Sequence, residues 1–188
     1  MKFNTLEVSI NHRVAVIWLA REAVRNAFNE VSIAELTAAF NQFGQDDAVR
    51  AIVLAAQGPA FCAGADLDWM RRMSGYSNAE NQADAMKLAT MLRTIYECPK
   101  PVIARVHGDV YAGGVGLVAA CDISVASLDA NFCLSETKLG LIPATVGPHV
   151  LRAKHAHIAR RHFPPPAKIT AAEAFRIGLV HELALPEE

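Results

Sequence analysis

The segment Tyr111–Ile123 reads YAGGVGLVAACDI and has three glycines in its first six residues. It follows Pro101–His107 (PVIARVH), a run with the length and apolar character of a buried strand. Small residues allow the backbone to turn sharply, and a helix that begins there exposes free N–H groups at the positive end of its dipole. The segment therefore predicts a strand, a tight turn and a helix whose first amides can bind an anion.

A second segment, Ile52–Leu67 (IVLAAQGPAFCAGADL), has the same design: an apolar strand, then small residues, then the start of a helix near Asp66. Either segment alone is most simply a tight connection between a strand and a helix. Two such turns brought together, however, supply two backbone donors to one oxygen, which is what an oxyanion hole requires. The presence of both turns favours a site that stabilises developing negative charge.

The rest of the chain predicts an α/β fold in which strands alternate with helices. Residues on both sides of Asn11–His12 alternate in polarity, which indicates a hairpin. Apolar spacing and terminating residues predict further elements: a helix at Glu30–Gly44, a strand at Arg50–Ala56, a helix over about Asn78–Glu97, helices at roughly 146–153 and 155–163, and a helix near Ala171–Ile177.

Length and composition predict one soluble cytoplasmic domain over residues 1–188. Of the 188 residues, 52% are apolar and 20% charged, and the formal net charge is −1. This balance provides no strongly basic field for nucleic acid, and no apolar run is long enough to span a membrane. The four cysteines form no CxxC pair, so we expect reduced, buried thiols and no metal site.

Three motifs in order carry a family resemblance: Phe61–Met70 (FCAGADLDWM), VHGDVYAGGVGLVAACDI and FCLSETKLGLIP. They closely resemble the enoyl-coenzyme A hydratase/isomerase (crotonase) family, and the match runs from RNAFN at Arg25–Asn29 to AAEAFRIGLVHE at Ala171–Glu182. The resemblance implies a ClpP/crotonase-like spiral of ββα units over about residues 1–145. Residues 146–188 then begin the C-terminal helical region, whose trimerisation helices are largely missing from this chain.

The resemblance also implies a site for an acyl thioester of coenzyme A, which enters as part of the substrate, with no permanently bound cofactor. The N–H groups of Ala65 and Gly113 are expected to form the oxyanion hole. The backbone of Ala63, Asp66 and Leu67 is expected to lie along the coenzyme. The family pattern also makes Arg25 a candidate phosphate contact, with a solvated surface charge as the equal alternative.

Two positions decide which reaction the resemblance implies. Hydratases of the family use two glutamates, and the matching positions here are Gly116 and Glu136. Two carboxylates suit hydration, since one can activate water while the other protonates the α-carbon. One glutamate can still move a double bond by relaying a single proton. Glu136 is therefore the expected catalytic group, with a capping carboxylate as the alternative. On local chemistry alone, Gly116 favours isomerisation, or hydration in which Glu136 and an ordered water share the work.

A finer resemblance weighs against isomerisation. VHGDVYAGGVGL with FCLSETKLGLIPATVGP is similar to bacterial methylglutaconyl- and isohexenylglutaconyl-coenzyme A hydratases, which also lack the first glutamate. Hydration of an α,β-unsaturated thioester therefore ranks first and Δ3-Δ2 isomerisation second. A catalytically weak acyl-coenzyme A binding protein is the alternative from another class. The family also implies a homotrimer or a dimer of trimers where the full-length chain is present.

Overall fold

The computed structural model describes residues 2–154 and 167–186. The strands in these ranges are β1 Leu6–Asn11, β2 Val14–Leu19, β3 Ala51–Ala56, β4 Ala60–Cys62, β5 Val102–Val106, β6 Asp109–Tyr111, β7 Ile123–Ser127, β8 Asn131–Cys133, β9 Ile169–Thr170 and β10 Glu182–Ala184. The α-helices are α1 Glu30–Gln45, α2 Leu67–Met73, α3 Asn78–Tyr96, α4 Gly113–Ala120, α5 Gly147–Lys154 and α6 Ala171–Arg176, and 3₁₀ turns occupy Glu22–Val24 and Glu136–Leu139.

The larger sheet has the strand order β1-β2-β3-β5-β7-β10. Its first two strands form the predicted antiparallel hairpin, and the strands from β2 to β10 pair in parallel. Parallel pairing requires crossover connections, and helices α1 and α3 supply two of them. The α/β prediction is confirmed.

A second, smaller sheet has the order β4-β6-β8-β9. Each long strand β3, β5 and β7 is followed within a few residues by a short strand of this second sheet, so the chain repeats a strand-strand unit that steps along both sheets. The sequence analysis placed Ala60–Cys62 and Asp109–Tyr111 in the turns between a strand and a helix, with no strand of their own. That interpretation was wrong, because these three-residue strands pair with each other in parallel.

The core lies between the larger sheet and its helices. Among its fully buried side chains are those of Leu36 and Phe40 on α1, Leu54 on β3 and Leu92 on α3. The predicted helix at 146–153 is confirmed as α5, whereas the predicted helix at 155–163 lies outside the described residues. Within residues 2–154 and 167–186, no helix combines the length and the apolar character needed to cross a membrane.

Candidate active site

The two glycine-containing turns lie against each other. Strands β4 and β6 pair in parallel, so the turns that follow them leave the same edge of the smaller sheet. A Cβ atom built on Gly64 would lie 3.0 Å from Cβ of Ala112 and 3.7 Å from the backbone nitrogen of Gly113. The predicted juxtaposition of the two turns is therefore present in the fold.

The N–H group of Ala65 is left unpaired by the way this turn is held. Phe28 forms an isolated parallel bridge with Ala65. In that bridge Phe28 donates its N–H to the carbonyl of Gly64 (2.9 Å) and accepts the N–H of Asp66 (3.0 Å). Because both bonds use the residues flanking Ala65, its own N–H makes no hydrogen bond within the described chain.

Gly113 supplies the second donor as the first residue of α4. The first N–H groups of a helix have no intrahelical partner and lie at the positive end of the dipole. The aromatic ring of Phe28 packs directly on this residue, since a Cβ atom on Gly113 would lie 2.2 Å from Cζ of Phe28. Phe28 thus holds both turns, one through its backbone and one through its ring.

Glu136 begins the 3₁₀ turn after β8 and lines the same cavity as both turns. Its Oε2 atom is buried, and no described residue hydrogen-bonds to it. Burial raises the pKa of the Glu136 carboxyl, and a hydrogen bond from its own backbone N–H offsets part of that shift. A carboxyl group with a raised pKa and a free oxygen is suited to carry a proton.

The space beside Gly116, where the family resemblance leads us to expect a glutamate, is filled by another side chain. A Cβ atom on Gly116 would lie 2.5 Å from Cγ1 and 2.8 Å from Cβ of Val146, and 3.6 Å from Cδ1 of Leu92. Distances below 3.0 Å are not tolerated without a shift of the neighbour. A carboxylate could not enter the cavity from this position unless Val146 moved, because Val146 lines the cavity and Gly116 lies behind it.

A cavity of about 440 Å³ joins these groups. Its wall is mainly apolar and comes from the two turns, α2, α3, the 3₁₀ turn and the segment before α5. Among the residues that line it are Phe28, Ala63, Ala65, Leu67, Trp69, Asp84, Leu88, Ala112, Gly113, Glu136, Lys138 and Val146. Two further clefts, of about 360 and 540 Å³, lie along α1 and α3 away from the turns.

Of the four residues expected to bind the coenzyme, two line the cavity and two do not. Ala63 and Leu67 line the cavity. The side chain of Asp66 instead caps α2 and pairs with Arg21 at 2.9 Å. Burial acts to raise the pKa of Asp66, but the hydrogen bonds to its carboxylate outweigh burial and hold the pKa below its usual value. The side chain of Arg25 is exposed and outside the cavity wall, while its carbonyl accepts the N–H of Ala63 at 2.9 Å.

The sequence analysis missed two polar groups of the cavity. Trp69 is 3% exposed and Asp84 is 6% exposed, and both line the cavity. Nε1 of Trp69 and Oδ2 of Asp84 are buried without a hydrogen-bond partner in the described ranges. Helical spacing carried a signal for Asp84, because it lies four and eight residues before Leu88 and Leu92 on the apolar face of α3.

The cysteines behave as buried or half-buried thiols. Cys62 and Cys133 are buried, Cys98 and Cys121 are half-buried, and none of the four forms a disulfide. Burial raises the pKa of Cys62 to about 12, so it is protonated at neutral pH. Within the described part of the chain, no three histidine, cysteine or acidic side chains cluster in a way that could hold a metal ion.

Comparisons with known proteins give consistent matches. Residues 9–188 match the profile of the family described as enoyl-CoA hydratase/isomerase. Crotonyl-CoA hydratase of Syntrophomonas wolfei is 32% identical over 190 residues, covering 100% of this chain and 72% of the relative. Enoyl-CoA hydratase ACTT6 of Alternaria alternata is 37% identical over 172 residues, covering 92% of this chain and 56% of the relative. A crystal structure of an enoyl-CoA hydratase from Shewanella pealeana has a TM-score of 0.95 and 37% identity, covering 97% of this chain and 69% of that one.

Proposed function

Because the chain belongs to the enoyl-CoA hydratase/isomerase family, a family of enzymes, we propose that it adds water to an α,β-unsaturated acyl-coenzyme A thioester. The reaction passes through an enolate whose oxygen accepts the N–H groups of Ala65 and Gly113. Attack at the β-carbon moves the electrons of the double bond onto the thioester oxygen. Two donors already directed at that oxygen stabilise the charge without reorganisation.

The single observation that carries this proposal is the convergence of three groups on one cavity. The unpaired N–H of Ala65, the N-terminus of α4 at Gly113 and the buried carboxyl of Glu136 all line it. A site with two donors and one proton carrier fits a reaction in which an enolate forms and is then protonated. The raised pKa of Glu136 favours the protonated form that can deliver a proton to the α-carbon.

We propose that the coenzyme part of the substrate runs past Ala63 and Leu67, along the backbone of Asp66. The exposed guanidinium of Arg25 is free to reach a phosphate, because no described acidic group pairs with it. Coenzyme A then enters with each substrate and leaves with each product, with no permanently bound cofactor. The apolar wall of the cavity receives the acyl group.

The acyl group we propose is branched, of the methylglutaconyl or isohexenylglutaconyl type, and this choice rests on the motif resemblance alone. Assembly into a homotrimer or a dimer of trimers, and a cytoplasmic location, are proposals on the same footing. The chain spans between about half and three quarters of the length of the relatives described above. The activity of this chain is for that reason tested directly in the experiment below.

The test compares the parent chain with Glu136→Gln on short 2-enoyl and 3-enoyl thioesters. We expect hydration of the 2-enoyl substrate by the parent, and a loss of roughly 10²-fold or more in kcat for the variant, because the amide cannot carry the proton. Glu182→Gln is the matched control, since Glu182 is exposed on β10 and outside the cavity.

Each other outcome selects an alternative. Isomerisation of the 3-enoyl substrate without hydration would replace the proposed reaction by Δ3-Δ2 isomerisation. Thioester binding without turnover of either substrate would leave an acyl-coenzyme A binding protein. Full activity in Glu136→Gln would remove Glu136 from the mechanism.

A further inference from the structure

Two buried carboxylate oxygens in the cavity lack a partner. They are Oε2 of Glu136 and Oδ2 of Asp84, and no other carboxylate of the described chain combines burial with this lack of a hydrogen bond. Asp84 forms an ion pair with Lys87, whose Nζ lies 3.7 Å from the other oxygen, Oδ1, and whose side chain is 65% exposed. Glu136 and Asp84 come from different elements yet line one cavity.

Helix α3 carries Asp84 on the same side as Leu92, which packs beside Gly116. Leu92 of this helix contacts the space beside Gly116, and Asp84 lies two helical turns earlier on the same face. Leu88, between them, lines the cavity as well. Val146 excludes a carboxylate at Gly116, whereas α3 supplies the carboxylate of Asp84 to the same cavity.

Trp69 provides an independent observation at the same cavity. Its indole Nε1–H is a donor, is buried, and has no acceptor among the described residues. Oδ2 of Asp84 is an acceptor that is likewise buried and has no donor among the described residues. Water has the polarity that each group lacks, because a water molecule accepts from an indole N–H and donates to a carboxylate. Glu136 offers its carboxyl group to the same enclosed space.

We propose that Asp84 is the second acid-base residue of hydration and supplies what Gly116 lacks. This inference rests on the proposed function. Asp84 takes one proton from a water that also accepts the indole N–H, and the water oxygen bonds to the β-carbon of the substrate. The π electrons of the double bond move onto the thioester oxygen as the enolate forms.

The enolate then returns its electron pair to form a C–H bond at the α-carbon with the proton of Glu136. At the end of the turnover Asp84 carries one proton more and Glu136 one fewer. Exchange with solvent restores both, so the net change is the addition of one water to the double bond. No oxidant, reductant or metal enters this balance.

The loss of folding stability that a buried Asp84 causes supports a functional role for this residue. A buried carboxylate without a full set of hydrogen bonds destabilises a protein, and such groups persist where function requires them. Asn at this position has nearly the same shape and no charge. Asp84→Asn should therefore fold, melt at an equal or higher temperature than the parent, and lose activity.

The experiment measures two reactions in the parent, Asp84→Asn and the control Asp68→Asn. Asp68 lies on α2 with a side chain 77% exposed and does not line the cavity. The first reaction is hydration of a 2-enoyl thioester. The second is exchange of the α-hydrogen of a saturated thioester with deuterium from solvent, which requires Glu136 and the two backbone donors but no attacking water.

We expect Asp84→Asn to lower kcat for hydration by roughly 100-fold or more while exchange stays within about threefold of the parent. Trp69→Phe, which keeps a ring and removes the N–H, should lower hydration in the same direction. Hydration at the parent rate in Asp84→Asn, or equal loss of both reactions, overturns the inference and leaves the proposed function standing. Absence of hydration in the parent overturns the proposed function and this inference with it.

Discussion

The two turns of the site direct a backbone N–H into the same cavity by different local solutions. In the first, Gly64 with φ of +92° precedes the donor Ala65, and Phe28 binds the turn through a β-bridge. In the second, Ala112 with φ of +47° precedes the donor Gly113, which begins a helix. In both, the residue before the donor has positive φ, which turns the following N–H away from the strand.

The difference lies in where each turn needs glycine. The first has its glycine at the positive φ, where a side chain would be strained. The second accepts an alanine at the positive φ and has its glycine one residue later, where the ring of Phe28 leaves no room for a Cβ atom. One glycine is required by backbone conformation and the other by close approach, and the two requirements can be separated experimentally.

The largest effect is expected from Gly113→Ala. The new Cβ atom would lie 2.2 Å from Cζ of Phe28, so either the ring or the first residue of α4 must move. We expect a loss of about 1–3 kcal/mol in the free energy of unfolding from overpacking, and a loss of roughly 100-fold in kcat from the displaced donor. Chemical denaturation and the hydration assay measure the two effects.

The control for this substitution is Gly147→Ala. Gly147 is also the first residue of a helix, and a Cβ atom there would have no neighbour within 4 Å. This substitution should leave the free energy of unfolding within about 0.5 kcal/mol of the parent value. If the clash with Phe28 causes the loss, Gly113→Ala should cost less stability in a Phe28→Ala background than in the parent. Additive costs would show that the close contact is not the cause.

The sequence was sufficient to predict the two turns but not all of the structure that surrounds them. Strong glycine and small-residue signals predicted both turns, and the motif around Glu136 predicted the carboxyl group. Strands β4 and β6 were missed because each has three residues, and their pairing joins segments about fifty positions apart in sequence. A three-residue strand has too little periodicity to be read locally.

The cavity wall was equally hidden from local patterns. Val146 fills the space beside Gly116 from a segment thirty residues later, so only the folded chain shows that this space is closed. Asp84 looked like an ordinary polar residue near the start of α3. Its burial and its unpaired oxygen depend on which elements pack around that helix, and spacing within the helix alone does not determine this.

A milder steric effect, and therefore a smaller loss of activity, is expected from Gly64→Ala. Here the cost comes mainly from the φ of +92°, with a further contribution from contacts of 3.0 Å to Cβ of Ala112 and 3.1 Å to the carbonyl oxygen of Tyr111. We expect a loss of about 1–2 kcal/mol in the free energy of unfolding. Because Ala65 follows directly, kcat for hydration should fall as well.

Gly140→Ala separates the two contributions. Gly140 has a similar φ of +71°, but a Cβ atom there would have no neighbour within 4 Å. It should therefore show the conformational cost alone, about 1 kcal/mol. Equal losses in the two variants would mean that the contacts with Ala112 and Tyr111 add nothing, and that the first turn needs glycine for its backbone conformation only.

The smallest effect is expected from Ala112→Gly, and it has the opposite sign. Ala112 has φ of +47° and ψ of −116°, a conformation that glycine adopts without strain. Relief of this strain should raise the free energy of unfolding by about 1 kcal/mol, after the larger entropy of glycine in the unfolded chain is subtracted. Ala48→Gly, at an exposed loop residue with ordinary φ, should instead lower stability slightly. If Ala112→Gly also destabilises, the alanine side chain contributes packing against the first turn that outweighs its strain, and the two turns are held together by that contact as well as by Phe28.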